Sequence, residues 1–186
     1  MALTTLDPKT ALVVIDLQKG IAGRPNLTAA NDVVARTNDL LDVFHHHKLP
    51  VVLVNVTGGA PGRVEQKMSV GQRPADWAEL VPELHKESSD KLVTKRSWGA
   101  FTNTDLDAYL KDCGVTQVVV CGIATSAGVE STARSAHEHG YSVTLAIDAM
   151  TDMNIDAQTN SITRIFPRLG ETGTVQEIIE LLSQTR

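Results

Sequence analysis

Apolar residues along the chain fall into two kinds of stretch. Short runs at Ala11–Ile15, Val51–Val54, Lys91–Thr94, Val118–Cys121 and Ser142–Ile147 are largely continuous and rich in β-branched residues. A strand with one wet face would alternate, so these read as parallel strands covered on both sides. Between them the period becomes helical. Val33, Thr37, Leu40, Leu41 and Phe44 form one stripe; Leu106, Tyr109, Leu110 and Cys113 form a second; Val129, Thr132, Ala133 and Ala136 form a third. Asn103 and Asp105 stand where the second helix would be capped, and Gly114 and Gly140 follow the second and third stripes, where a left-handed residue ends a helix. This alternation predicts one three-layer α/β domain spanning residues 1–186, with right-handed crossovers and a ligand crevice at the carboxyl ends of the strands. Thr57–Gly71 has no apolar period and contains Gly58, Gly59 and Gly62; it reads as a long loop over one end of the sheet, of the kind that serves as a lid.

Composition narrows the partners. The 186 residues carry 17 Lys+Arg against 22 Asp+Glu, a formal charge of −5, which gives no support to an electrostatic grip on nucleic acid or on a membrane surface. The longest apolar runs fall far short of the roughly 18–20 residues that cross a bilayer. Met1–Pro8 has no basic stretch followed by an apolar core, so a cytoplasmic location is expected. Cys113 and Cys121 are too few for a disulfide framework and read as small apolar residues. His45, His46 and His47 are consecutive on a predicted helix, where side chains diverge by ~100° per residue, and His137 and His139 diverge as well; no metal and no cofactor is expected.

Three strands deliver polar chemistry to the crevice end. Asp16 follows the first run directly, Lys95 follows Lys91–Thr94, and Gly122-Ile-Ala-Thr-Ser-Ala-Gly128 turns a strand into a helix through small residues that leave backbone N–H groups unpaired. Alone, the aspartate reads as a turn former and the lysine as a solvated side chain. Together they would make an acid, a cation and a set of amide donors at one place. Ser126 stands in a near match to the Gly-x-Ser-x-Gly elbow, but no histidine follows in the order such a triad needs, and it reads as an N-cap. Cys121 reads as core.

Val14-Ile-Asp16-Leu-Gln18, Lys95-Arg-Ser-Trp-Gly-Ala-Phe101, Gly122-Ile-Ala-Thr125, Thr132-Ala133 with Gly140-Tyr141, and Asp148-Ala149 resemble, in order and spacing, the isochorismatase-like hydrolases over roughly residues 8 to 182. The resemblance implies a six-stranded, mostly parallel sheet with helices on both faces, assembly as homodimers or homotetramers, and a cis peptide at Ile123–Ala124. Its usual Asp, Lys and Cys map onto Asp16, Lys95 and Gly128, so the nucleophile position has no thiol. That pattern is similar to the branch that hydrolyses a vinyl ether by acid catalysis, with no covalent intermediate. Asp16 would be the acid; Lys95 would orient it and pair with a carboxylate of a small-molecule substrate. Gln18, Trp98, Phe101, Ile123 and Ala124 fall in the implied substrate-binding set. Arg63, Arg73 and Arg96 are further candidates to meet a carboxylate. The metal-binding Asp-x-His of related nicotinamidases is replaced by Asn55-Val-Thr57. Hydrolysis of a C–N bond, or a binding role without turnover, are the alternatives.

Overall fold

The computed structural model describes residues 3–25, 27, 29–65 and 73–184. Its first strand, β1 (Thr10–Ile15), is buried along its whole length, yet successive side chains enter different layers. Leu12 and Val14 join one apolar cluster, and Ala11, Val13 and Ile15 join another on the opposite face. The twofold period of a strand thus feeds two cores at once, which is why its sequence looks continuous rather than alternating.

The chain continues through α1 (Lys19–Ala22), α2 (Ala30–His46), β2 (Val51–Val56), β3 (Lys91–Lys95), α3 (Leu106–Asp112) and β4 (Gln117–Ile123). A π-helical turn, Thr125–Val129, leads into α4 (Glu130–Glu138), followed by β5 (Ser142–Thr151), α5 (Ile155–Asn160), β6 (Glu171–Gly173) and α6 (Val175–Gln184). The six strands lie in the order β3-β2-β1-β4-β5-β6 and every pair is parallel. Residues of α2 and α6 pack on one face, and those of α3 and α4 on the other. All five residues expected on the α2 stripe are buried. In α3, Leu106 and Leu110 are buried while Tyr109 and Cys113 are partly covered.

Several local expectations change. β5 runs to Thr151, past the end of its apolar run, because its register against β4 slips. β6 is three residues, Glu-Thr-Gly, with no apolar run to announce it. Asp105 begins α3 without a capping bond; its carboxylate is drawn off by Lys91 at 2.5 Å, and the Leu106 N–H donates to Thr104 Oγ1 instead. Gly114 and Gly140 do take positive φ, 69° and 87°. Of the expected lid loop, residues 57–65 have no regular structure, and residues 66–71 lie outside the described residues. Among the described residues no helix is long and apolar enough to cross a membrane.

Gly122 shows how closely the central strands approach. Its φ is +114°, and a Cβ there would overlap the Ile15 carbonyl oxygen on the neighbouring strand. Gly122→Ala is expected to lower the unfolding free energy by about 3 kcal/mol or more, read by urea denaturation, because strain and overlap act at one buried position.

Candidate active site

β1 and β3 end at the same edge of the sheet with β2 between them. Asp16 leaves β1 with φ at +52°, and Lys95 is the last residue of β3. The four-carbon stem of the lysine spans the intervening strand, and its Nζ donates to Asp16 Oδ2 at 2.7 Å and to the Ser97 carbonyl at 3.2 Å. Both side chains are almost out of water, Asp16 at 4% and Lys95 at 2% exposure. The second oxygen, Asp16 Oδ1, is buried without a hydrogen-bond partner among the described residues. Burial pushes the Asp16 carboxyl up to about 6, against the lowering influence of the Lys95 charge.

The third wall is the turn after β4. The Ile123–Ala124 peptide is cis, and the N–H groups of Ala127 and Val129 both donate to the Ala124 carbonyl, at 3.2 and 3.1 Å. A Cβ on buried Gly128 would stand 2.9 Å from Ile15 Cγ2 and 3.2 Å from Asp16 Oδ2. Bare backbone therefore packs straight onto the carboxylate, where the resemblance would otherwise put a thiol. Ser126 is not an N-cap: its N–H and its hydroxyl both donate to Asp152 Oδ2, at 2.8 Å each.

These elements enclose a cleft of about 140 Å³. Asp16, Lys95 and Gly128 line it, and so do Ile123, Ala124 and Trp98, the last at 66% exposure on the rim. Two expected substrate contacts are not in it. Gln18 is fully buried, and its amide is used up inside the protein: Oε1 accepts from the Val56 N–H at 2.8 Å, and Nε2 donates to the Val56 and Trp77 carbonyls at 3.1 Å each. Phe101 belongs to the core layer over α3 and α4, stacked on His139 at 5.2 Å between ring centres.

The cleft also holds residues that the motifs did not assign. Arg73 lies over the Trp77 ring at 4.0 Å and donates to the Thr57 carbonyl at 3.0 Å; Arg24 donates to the Gly20 carbonyl at 3.3 Å and touches Met153 Sδ at 3.2 Å. All four side chains line the cleft, and among the described residues neither guanidinium has a carboxylate partner. Of the three arginines singled out in the sequence, Arg73 is at the cleft, and Arg63 and Arg96 are not among its lining. Arg24, Trp77 and Met153 lie on irregular or very short segments that carry no periodic signal.

Among the described residues no group of three or more His, Cys, Asp or Glu side chains could hold a metal ion. Cys121 sits in the layer under α2 with Thr37 Oγ1 at 3.9 Å, and burial pushes its thiol up to about 12.

The model of the isochorismatase domain matches residues 10–177. The chain is 42% identical over 179 residues to the uncharacterized isochorismatase family protein YwoC of Bacillus subtilis, covering 92% of this chain and 93% of that one. It is similar to a solved isochorismatase family protein from Burkholderia thailandensis, with a TM-score of 0.86 and 41% identity over 98% of this chain and all of that one. A more distant relative, streptothricin hydrolase of Streptomyces noursei, is 32% identical over 151 residues, 81% of this chain and 57% of its own length.

A thiol so placed has neither exposure nor thiolate character. Native protein treated with iodoacetamide at pH 8 is expected to stay unmodified at Cys121 by mass spectrometry, and Cys121→Ser to keep any hydrolytic activity.

Proposed function

The chain belongs to the isochorismatase family of hydrolases, and from that premise we propose that it cleaves the vinyl ether of a small carboxylated metabolite by acid catalysis, with no covalent enzyme intermediate. The observation that carries this reading is the buried Asp16–Lys95 pair beside a nucleophile position that is glycine. Thioester chemistry has no atom to start from at residue 128. What the cleft offers instead is a carboxyl whose proton affinity burial has raised to about 6, so that a minor protonated fraction persists toward neutral pH.

The chemistry follows from which oxygen is free. Oδ2 is engaged by Lys95, so the transferable proton belongs on Oδ1. The double-bond electron pair of the vinyl ether takes that proton at its terminal carbon, leaving an oxocarbenium ion next to the carboxylate that Asp16 has become. Water adds to the cation, and its proton returns to Asp16. The hemiketal then collapses to a carbonyl compound and an alcohol, so the net reaction consumes one water. Lys95 fixes the carboxyl and steadies its charged form. Being buried and already bonded to Asp16 and Ser97, it is less suited to a substrate carboxylate than Arg24 and Arg73, whose guanidinium groups have no carboxylate partner among the described residues.

A second reading, hydrolysis of a C–N bond, is favoured by the likeness to streptothricin hydrolase. Asp16 would then act as a base on water. The two separate on substrate: purified protein is given isochorismate and, in parallel, a panel of small amides. Pyruvate release that disappears in Asp16→Asn is the expected result; turnover of amides alone would replace the vinyl ether reading.

The acid form must be present for the first step, so the pH profile has a definite sign. With the carboxyl near 6, about a tenth of it is protonated at pH 7, and kcat/KM is expected to be flat below about pH 6 and to fall with rising pH above it. Lys95→Met removes the charge that favours the carboxylate, so the descending limb should move to higher pH by roughly 1–3 units. A limb that stays in place would dissociate the acid from Asp16.

A further inference from the structure

β5 reaches the site through a slip of register. Val120 pairs with Leu145, yet Gly122 pairs with Met150 and Ile123 with Thr151, so β5 takes five residues to pass two of β4. The extra length brings Asp152 level with the turn that follows β4. There its Oδ2 accepts both the N–H and the hydroxyl of Ser126. Ser126 lies in the first turn of a helix, where backbone N–H groups have no partner inside the helix, and a carboxylate makes the stronger, charge-assisted kind of bond to such a donor.

Asp152 is itself held. Its Oδ1 accepts from the Asn154 N–H at 3.1 Å, and its own N–H donates to Gln158 Oε1 at 3.1 Å. Asn154 in turn caps α5 through the N–H groups of Asp156 and Ala157. A carboxylate anchored from one side thus grips one residue of a turn in which Ala124, Ala127 and Gly128 line the cleft. Asp152 is not part of that lining; it meets the cleft through its bonds to Ser126 and through its chain neighbour Met153, which does line it.

We propose that Asp152 is a positioning residue for the reaction: through Ser126 it holds the turn Ala124–Gly128 against the Asp16 carboxyl. The inference rests on the reading of Asp16 as the acid. On this reading the turn limits the access of water to the carboxylate, because a methyl group added at Gly128 would stand only 3.2 Å from Asp16 Oδ2 and 2.9 Å from Ile15 Cγ2. Loosening the grip hydrates the acid and spoils the geometry of proton transfer.

Two measurements test this on Asp152→Ala and Asp152→Asn: steady-state turnover of isochorismate, and titration of the Asp16 carboxyl by carbon-13 NMR, with thermal melting recorded alongside. Asp152→Ala is expected to lower kcat roughly ten- to hundredfold with little change in KM. The Asp16 midpoint should fall from about 6 toward the ordinary carboxylate range. Asp152→Asn removes the charge but keeps an acceptor oxygen for Ser126, at the cost of the Asn154 contact, and should recover a clear part of both. An equal fall in the two variants would be a charge effect and overturns the proposal, as does an unchanged midpoint in Asp152→Ala. Should that variant fail to fold, Asp152→Ser, too short to reach Ser126, takes its place under the same criteria. If wild-type protein leaves isochorismate untouched, the reading of the reaction fails, while the titration still decides the role of Asp152.

Discussion

An ammonium and a carboxylate sealed from water constrain everything around them. The 2.7 Å contact between Lys95 and Asp16 compensates two desolvated charges, and deleting either partner would strand the other in an apolar layer. The pair forms because the register of the sheet allows it. Ile15 lies beside Val54 on β2, and Val56 beside Lys95 on β3, so the two side chains emerge at nearly the same height with one strand between them. Compensation is also incomplete: among the described residues one carboxylate oxygen accepts nothing, and an unsolvated acceptor has a raised affinity for protons. The same contact that makes the core tolerable thus leaves in it a carboxyl with a raised affinity for protons.

Much of this arrangement was legible in the chain. Asp16 and Lys95 announce themselves by following β-branched runs directly, and parallel strands put such residues on a common edge. Gly128 stands out only beside the family pattern, since a glycine in a turn is ordinary by itself. Gln18 and Phe101 show where proximity in sequence misleads. Each is near a site residue along the chain, but the amide of Gln18 is spent on Val56 and Trp77, and the Phe101 ring turns into the opposite core. Hydrogen bonding and side-chain direction decide these cases, and neither has a periodic signature. The slip in β5 was equally invisible, because a bulge depends on the neighbouring strand as much as on its own residues.

The outer wall of the cleft is built from segments with little regular structure, and polar ties replace packing there. Lys19 bridges Asp76 at 3.0 Å and Glu79 at 2.7 Å, while Gly20 N–H donates to the Trp77 carbonyl at 2.9 Å. Gln18 joins the same loop to the end of β2. The Lys19 pairs are solvent-exposed and individually weak, whereas the Gln18 amide is out of water and its bonds would be costly to leave unmade. The buried amide, then, sets where Trp77 and the guanidinium stacked on it stand relative to the acid.

The five-for-two slip in β5 has a further effect on the molecule. Below it, Thr144–Ala146 pair with the edge strand β6; above it, Met150 and Thr151 have only β4 beside them. The slack between holds Asp148, which fastens α6 through the Val175 N–H and α2 through Arg36. The edge strand is therefore moored just below the slack stretch and the closing helix on it, and neither on the residues that line the cleft. Whatever surface β6 and α6 present is thus carried on backbone that does not touch the Asp16–Lys95 pair.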